Sequence, residues 1–126
     1  MGNSYIEKER MIELSPHHMH HHHHILKTLQ ECEITCEHMI TMIAKKPDIN
    51  MRTRQLLLLR DCADICTFTA KYIARNSIFA KGIASLCATV CENCGSECSR
   101  FPDPESQHCA TICLSCAREC KAFAMS

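Results

Sequence analysis

Apolar and cysteine positions recur along this chain at steps of three and four residues. Leu29, Cys32, Cys36, Met39 and Ile43 follow that step, and so do Leu59, Cys62, Cys66, Thr69 and Ile73. The second half repeats it as Cys87, Cys91, Cys94 and Cys98, then Cys109, Cys113, Cys116 and Cys120. At about 100° per residue, a 4-3-4 step sets four side chains at about 0°, 40°, −20° and 20°, within about 60° of arc. The pattern predicts helices that each turn one narrow stripe inward. Cap and turn residues bound them: Ser15-Pro16 as N-cap and N1, Lys46-Pro47-Asp48 as a stop, Asn50 as the next cap, Asn76-Ser77 as C′ then cap, and Asp103-Pro104 as a further cap with proline. Helices are therefore expected over about 16–45, 51–75, 77–99 and 104–123, with residues 5–14 adding a small leading helix in a short N-terminal extension. Connections of about two to five residues make sequential helices antiparallel. The expectation is an all-α, up-down-up-down four-helix bundle filling one domain, 1–126.

Composition narrows the picture. A chain of 126 residues supports one modest core, which excludes two catalytic domains. Lys+Arg and Asp+Glu are 14 each, so the basic excess of a nucleic-acid or anionic-membrane surface is missing. No apolar run approaches the roughly 18 residues of a membrane span. No nucleic acid and no membrane are expected as partners. The chain has no Trp, two Tyr and four Phe, and its third and fourth helices carry few large apolar residues. Something other than hydrocarbon must fill that core.

The remaining material is sulfur. Twelve cysteines in 126 residues would suggest disulfides in a secreted chain, but the opening residues show neither a basic-then-apolar leader nor a twin-arginine signal, so a cytoplasmic, reducing context is expected. There, thiols serve as metal ligands. The stripes are also an internal repeat: Cys87-Ala88-Thr89-Val90-Cys91 through Cys98 parallels Cys109-Ala110-Thr111-Ile112-Cys113 through Cys120, with Glu97 and Glu119 each preceding the last thiol. Structural zinc asks for isolated tetrahedral sites whose ligands converge from different segments. Iron–sulfur ligation usually sits in loops with shorter spacings. Cu(I) is soft, prefers thiolate, and accepts low-coordinate geometry with bridging sulfur, so a row of thiols one turn apart holds it repeatedly, at about one ion per Cys, about ten in all. A zinc- or iron–sulfur-binding bundle with a regulatory or electron-transfer role stays open as the alternative.

The stripes, the segment Arg60-Asp61-Cys62-Ala63-Asp64-Ile65-Cys66, the run Cys91-Glu92-Asn93-Cys94-Gly95-Ser96-Glu97-Cys98 and His108-Cys109 resemble the cytosolic copper storage proteins. The resemblance covers about residues 25–123. It implies a Cys-lined four-helix bundle that holds many Cu(I) ions inside, assembles as a homotetramer and performs no catalysis. It also implies that His108 lies near the copper entrance. Helices 1 and 2 depart from the fuller pattern, because Leu29, Met39, Ile43, Leu59, Thr69 and Ile73 occupy ladder positions without a thiol. Capacity should be lower than in members with longer ladders.

The expected metal ligands are thus Cys32, Cys36, Cys62, Cys66, Cys87, Cys91, Cys94, Cys98, Cys109, Cys113, Cys116 and Cys120. Met39 and His108 are accessory candidates at the end of the ladder shared by the 1–2 and 3–4 loops, with Met42 nearby. Counting residues from those loops puts Cys98 and Cys109 nearest that end and Cys66 and Cys120 farthest. The run His17, His18, Met19 and His20 to His24 lies toward the opposite end; its interruption by Met19 and its internal position argue against a purification tag. Of these, His18 and His22, with His21 beside them, fall along the interior stripe and suit low-affinity Cu or Zn capture. Glu31, Glu33, Glu37, Lys27, Lys45 and Lys46 read as the wet face of helix 1. An enzyme would need a thiol beside a base or paired carboxylates in a cleft; His108 and Cys109 diverge by about 100°, and no βαβ context surrounds the CxxC spacings. The copper donor or acceptor is left open.

Overall fold

The structure, a computed structural model, describes residues 16–126, with side chains from residue 22 onward. The leading helix expected over 5–14 and the side chains of His18 and His21 lie outside the described residues. Among those described there are four α-helices, one 3₁₀ turn and no strand: α1 (Pro16–Ile43), the turn Ile49–Met51, α2 (Thr53–Ala74), α3 (Ala80–Cys98) and α4 (Pro104–Met125).

The helix ends have local causes. At α4, Asp103 is extended and its Oδ2 accepts from Ser106 N at 3.0 Å, with Pro104 just inside, so the cap and proline act as their types require. At the end of α2, Asn76 adopts φ 55°. Ser77 N donates to Tyr72 O at 2.9 Å and Asn76 N to Ile73 O at 3.1 Å, the paired bonds of a Schellman motif. Ser77 is not the next cap, however. Its hydroxyl accepts from Phe79 N at 3.0 Å inside the connection, and α3 starts only at Ala80. Asn50 likewise caps nothing; it sits inside the 3₁₀ turn, and α2 begins at Thr53.

Cross-helix contacts fix direction and register. Thr28 meets Glu119 while Cys36 meets Cys113, so α1 and α4 run oppositely. Cys62 meets Cys91 while Cys66 meets Cys87, and Cys87 meets Cys120 while Cys94 meets Cys113, so α2 opposes α3 and α3 opposes α4. The helices form an up-down-up-down ring with α1 packed on both α2 and α4.

The core is uneven in chemistry. Leu29, Ile43, Leu59 and Ile73 are wholly or almost wholly buried on α1 and α2, each stabilising the fold by about 1.5–3 kcal/mol. The buried faces of α3 and α4 contain no large hydrocarbon side chain; they consist of cysteine, alanine, Gly95, Glu97 and Ser106. That composition draws the two helices together. A Cβ at Gly95 would lie 2.7 Å from Leu114 Cγ and 3.2 Å from the carbonyl of Ala110.

Candidate metal centre

All twelve cysteines are free thiols, and every one is fully buried. Their stripes meet on the bundle axis. Cys32 Sγ lies 3.7 Å from Cys62 and 3.9 Å from Cys113, and Cys36 lies 3.6 Å from Cys113. Cys62 is 3.5 Å from Cys91, and Cys66 is 3.6 Å from Cys91 and 4.0 Å from Cys116. Cys94 stands 3.8 Å from Cys113, and Cys87 3.7 Å from Cys120. These spacings are far beyond the 2.05 Å of a disulfide; they are thiol–thiol contacts in a continuous array.

Two groups of four thiols have all their sulfurs within 4.8 Å of one another: Cys32, Cys62, Cys66 and Cys91, and Cys32, Cys36, Cys62 and Cys113. The groups share Cys32 and Cys62. Shared sulfurs suit bridging by a soft ion, whereas independent tetrahedral zinc sites each require four ligands of their own. Cys87 and Cys120 close the array toward Leu29 and Thr69, and Cys98 and Cys109 close it toward Met39 and Leu59. The contacts add Cys87 to the far end expected from the chain count: it stands 3.7 Å from Cys120, and Cys66 lies one step inward, 3.9 Å from Cys87.

The thiols titrate as a network. Hydrogen bonds with Cys113 and Cys116 hold Cys32 below the ordinary thiol range, and those with Cys109 and Cys113 push Cys36 above it. Burial presses both upward, as it does Cys62, Cys91 and Cys98. A metal that binds thiolate therefore releases protons from a dry interior.

One feature of the site went unrecognised in the sequence. At the end bounded by the α1–α2 and α3–α4 connections, a buried polar network covers Cys98. Gln55 Nε2 donates to Ser106 Oγ at 2.9 Å and reaches Cys98 Sγ at 3.5 Å. Arg52 donates through Nη1 to Gln55 Oε1 at 3.2 Å and to Ser106 Oγ at 3.3 Å, through Nη2 to Asp103 at 3.0 Å, and through Nε to Asp48 at 3.0 Å. The Arg52 guanidinium also stacks 4.4 Å over the Phe101 ring. Burial opposes charge on Arg52, but Asp103 and Asp48 outweigh it and raise its pKa. Burial likewise disfavours the Asp103 carboxylate, yet the Ser106 and Arg52 bonds lower it to about 2. The signal for this network was positional: stepping back four from Leu59 gives Gln55, and stepping back three from Cys109 gives Ser106. Lys46 is part of the same end, half-buried with its ammonium 3.5 Å from Glu105, rather than a residue of the wet face.

The other candidates are placed as follows. Met39 is buried one step beyond Cys36. His108 is exposed on the first turn of α4, and among the described residues no hydrogen bond joins it to a thiol. His22 is half-buried at the opposite end, its ring edge-on to Phe123 at 6.3 Å and lining a cavity of about 420 Å³ with Ile73 and Ala80.

An all-helical bundle with a continuous interior array of free thiols is the architecture of a protein that holds several soft metal ions. Residues 18–125 match the family described as Copper storage protein, and the chain belongs to that family. The Cu(I)-bound copper storage protein BsCsp3, from Bacillus subtilis, is 32% identical, with 81% of this chain and 96% of that one aligned at a TM-score of 0.78. The copper storage protein Ccsp of Streptomyces lividans, loaded with 10 copper equivalents, is 27% identical over 81% of this chain and 82% of its own, also at 0.78. The uncharacterized cysteine-rich protein YhjQ of Bacillus subtilis is 36% identical over 70 residues, which span 56% of this chain and 65% of that protein.

Proposed function

We propose that this protein stores Cu(I), holding about ten ions per chain as thiolate-bridged clusters in the bundle interior. The observation that carries the proposal is the unbroken array of twelve buried thiols in which neighbouring groups share sulfurs. Each of the twelve cysteines is a ligand in this reading, and no catalytic step is involved. Storage in a dry core keeps Cu(I) from exchangeable cellular thiols and from redox cycling in the cytoplasm. The family resemblance adds a homotetramer as the assembly.

Copper crosses into the core at the Arg52–Gln55–Ser106 end. A polar seal can exchange its hydrogen bonds with water as it opens, whereas the Leu29, Ile25 and Ile73 seal at the other end must expose hydrocarbon. Once past Gln55 an ion meets Cys98 and Cys109, with the Met39 thioether at the same level. In this reading His108, exposed at the residue before Cys109, receives copper from a small-molecule or protein donor.

Anaerobic titration of the reduced protein with Cu(I), against a chromophoric chelator of known affinity, tests this reading. A break near ten equivalents, with binding that resists the chelator, is expected. A break at two equivalents or fewer would overturn it, and saturation by about three zinc ions would move the assignment to independent Cys-rich zinc sites.

A further inference from the structure

The outward face of α2 carries a pattern that the copper store does not use. Leu57, Asp61, Asp64, Phe68, Lys71 and the cap residue Arg75 follow one another at steps of three and four residues and fall within about 80° of arc. That stripe lies on the side of the helix away from Cys62, Cys66 and Ile73. All six side chains are exposed, Phe68 at 51% and Leu57 at 57%. Lys71 Nζ lies 5.9 Å over the Phe68 ring and the Arg75 guanidinium 5.1 Å over that of Tyr72. Among the described residues, no ion pair within the chain engages Asp61, Asp64, Lys71 or Arg75.

The order of signs about Phe68 tells what fits this face. Asp61 and Arg75 stand seven residues to either side of Phe68, and Asp64 and Lys71 stand four and three. Two copies of α2 laid antiparallel about a two-fold axis at Phe68 therefore set Asp61 level with Arg75 of the second copy. They also set Asp64 within one residue, about 1.5 Å, of the second copy's Lys71. Each carboxylate then meets a cation, twice over, and the two phenyl rings meet on the axis. A parallel pair sets like charge on like charge, and an axis one turn nearer Asp64 sets Arg54 against Arg75. Such a stripe is its own complement under a two-fold and under no other relation, which is the requirement of an isologous contact.

We propose that the outward face of α2 is a self-association surface that joins a second copy of this chain antiparallel about Phe68. The proposal rests on the homo-oligomer read above and gives it a face. Phe68 is the anchor that leaves water on contact, and the four charges fix direction and register rather than supply most of the affinity. Leu57 adds apolar surface at each end, toward the second copy's α2–α3 connection, where Ile78 and Phe79 are exposed. The thiols of α2 stay on the opposite side, inside their own bundle, so the contact leaves the copper store intact.

The test reads mass by sedimentation equilibrium on the reduced, copper-free full chain. Asp61→Lys with Asp64→Lys makes the stripe wholly cationic, and Lys71→Glu with Arg75→Glu makes it wholly acidic. Each double variant should fall to half the wild-type mass, and an equimolar mixture of the two should recover it, because each carries the charge the other lacks. Phe68→Ser leaves every charge in place and should weaken association at least tenfold, which reads the contact independently if a reversal misfolds. Cu(I) per chain is titrated on every variant and should equal that of the wild type, so a failure of storage is recorded separately. A monomeric wild type would overturn both the homo-oligomer and this face. A wild-type assembly whose mass neither the reversals nor Phe68→Ser changes, or a mixture that stays dissociated, would overturn this face alone.

Discussion

Arg52 shows how a single buried ion can hold one end of the molecule together. It is 5% exposed, and its guanidinium is shared among Asp48, Asp103, Gln55 and Ser106. Removing Asp103 takes away both the α4 cap and one of Arg52's two carboxylates. Asp103→Ala should therefore destabilise by more than the roughly 1 kcal/mol of an ordinary cap, because a buried cation loses half of its compensation; chemical denaturation measures the difference. The same group sets an acid limit. Its folded pKa lies below the unfolded value, at about 2 against 3.8, so its contribution is present above about pH 4 and is lost as the pH falls toward 2. An acid unfolding curve of the wild type should show that loss, and one of Asp103→Asn should not. Gly95 carries a second residue-level prediction. An added methyl would meet Leu114 Cγ at 2.7 Å and the Ala110 carbonyl at 3.2 Å, so Gly95→Ala should cost about 1–3 kcal/mol, even though alanine is the better helix former. At this scale the sequence was half legible. The thiols announced themselves by spacing, whereas Gln55, Ser106 and Arg52 did not, since Arg52 and Ser106 are 54 residues apart and only the folded register joins them.

The helix is where sequence and structure correspond most closely, because 100° per residue converts a 4-3-4 step directly into a stripe. All twelve ladder cysteines lie on inward faces, and so do the non-thiol members Leu29, Met39, Ile43, Leu59, Thr69 and Ile73. Boundaries corresponded less well where backbone geometry decided them. Asn76 was recognisable as a left-handed terminator. The delayed starts of α2 and α3 were not recognisable, because Asn50 and Ser77 are good capping types that the chain uses inside turns instead. The ladder argument also makes an additive prediction. Leu29 and Thr69 occupy thiol positions at the level of Cys87 and Cys120, so Leu29→Cys with Thr69→Cys should raise copper capacity by about one or two ions. The loss of the leucine should cost about 1–3 kcal/mol in the copper-free protein. Equal stoichiometry in the double variant and the wild type would show that this level lies outside the copper-holding volume.

At the scale of the whole molecule, two similar helices, α3 and α4, bring eight thiols, and two less regular ones bring four, and the antiparallel register interleaves them into one array. The up-down arrangement was legible from short connections and sparse prolines. Which thiols stand opposite one another was not, because register depends on the relative slide of helices that no local spacing reports. A core filled so largely by sulfur lacks the hydrocarbon that usually stabilises a bundle. Ions that bind only the folded array must then contribute stability by mass action, and the thermal midpoint should rise progressively with each copper equivalent added. A midpoint unchanged at full loading would place the metal outside the interior. The central claim is tested most directly by copper-edge X-ray absorption on the reduced protein loaded to saturation. The account predicts Cu(I) with sulfur neighbours throughout and short copper–copper vectors from thiolate bridging. Nitrogen or oxygen neighbours for most of the copper, with no copper–copper vector, would contradict it.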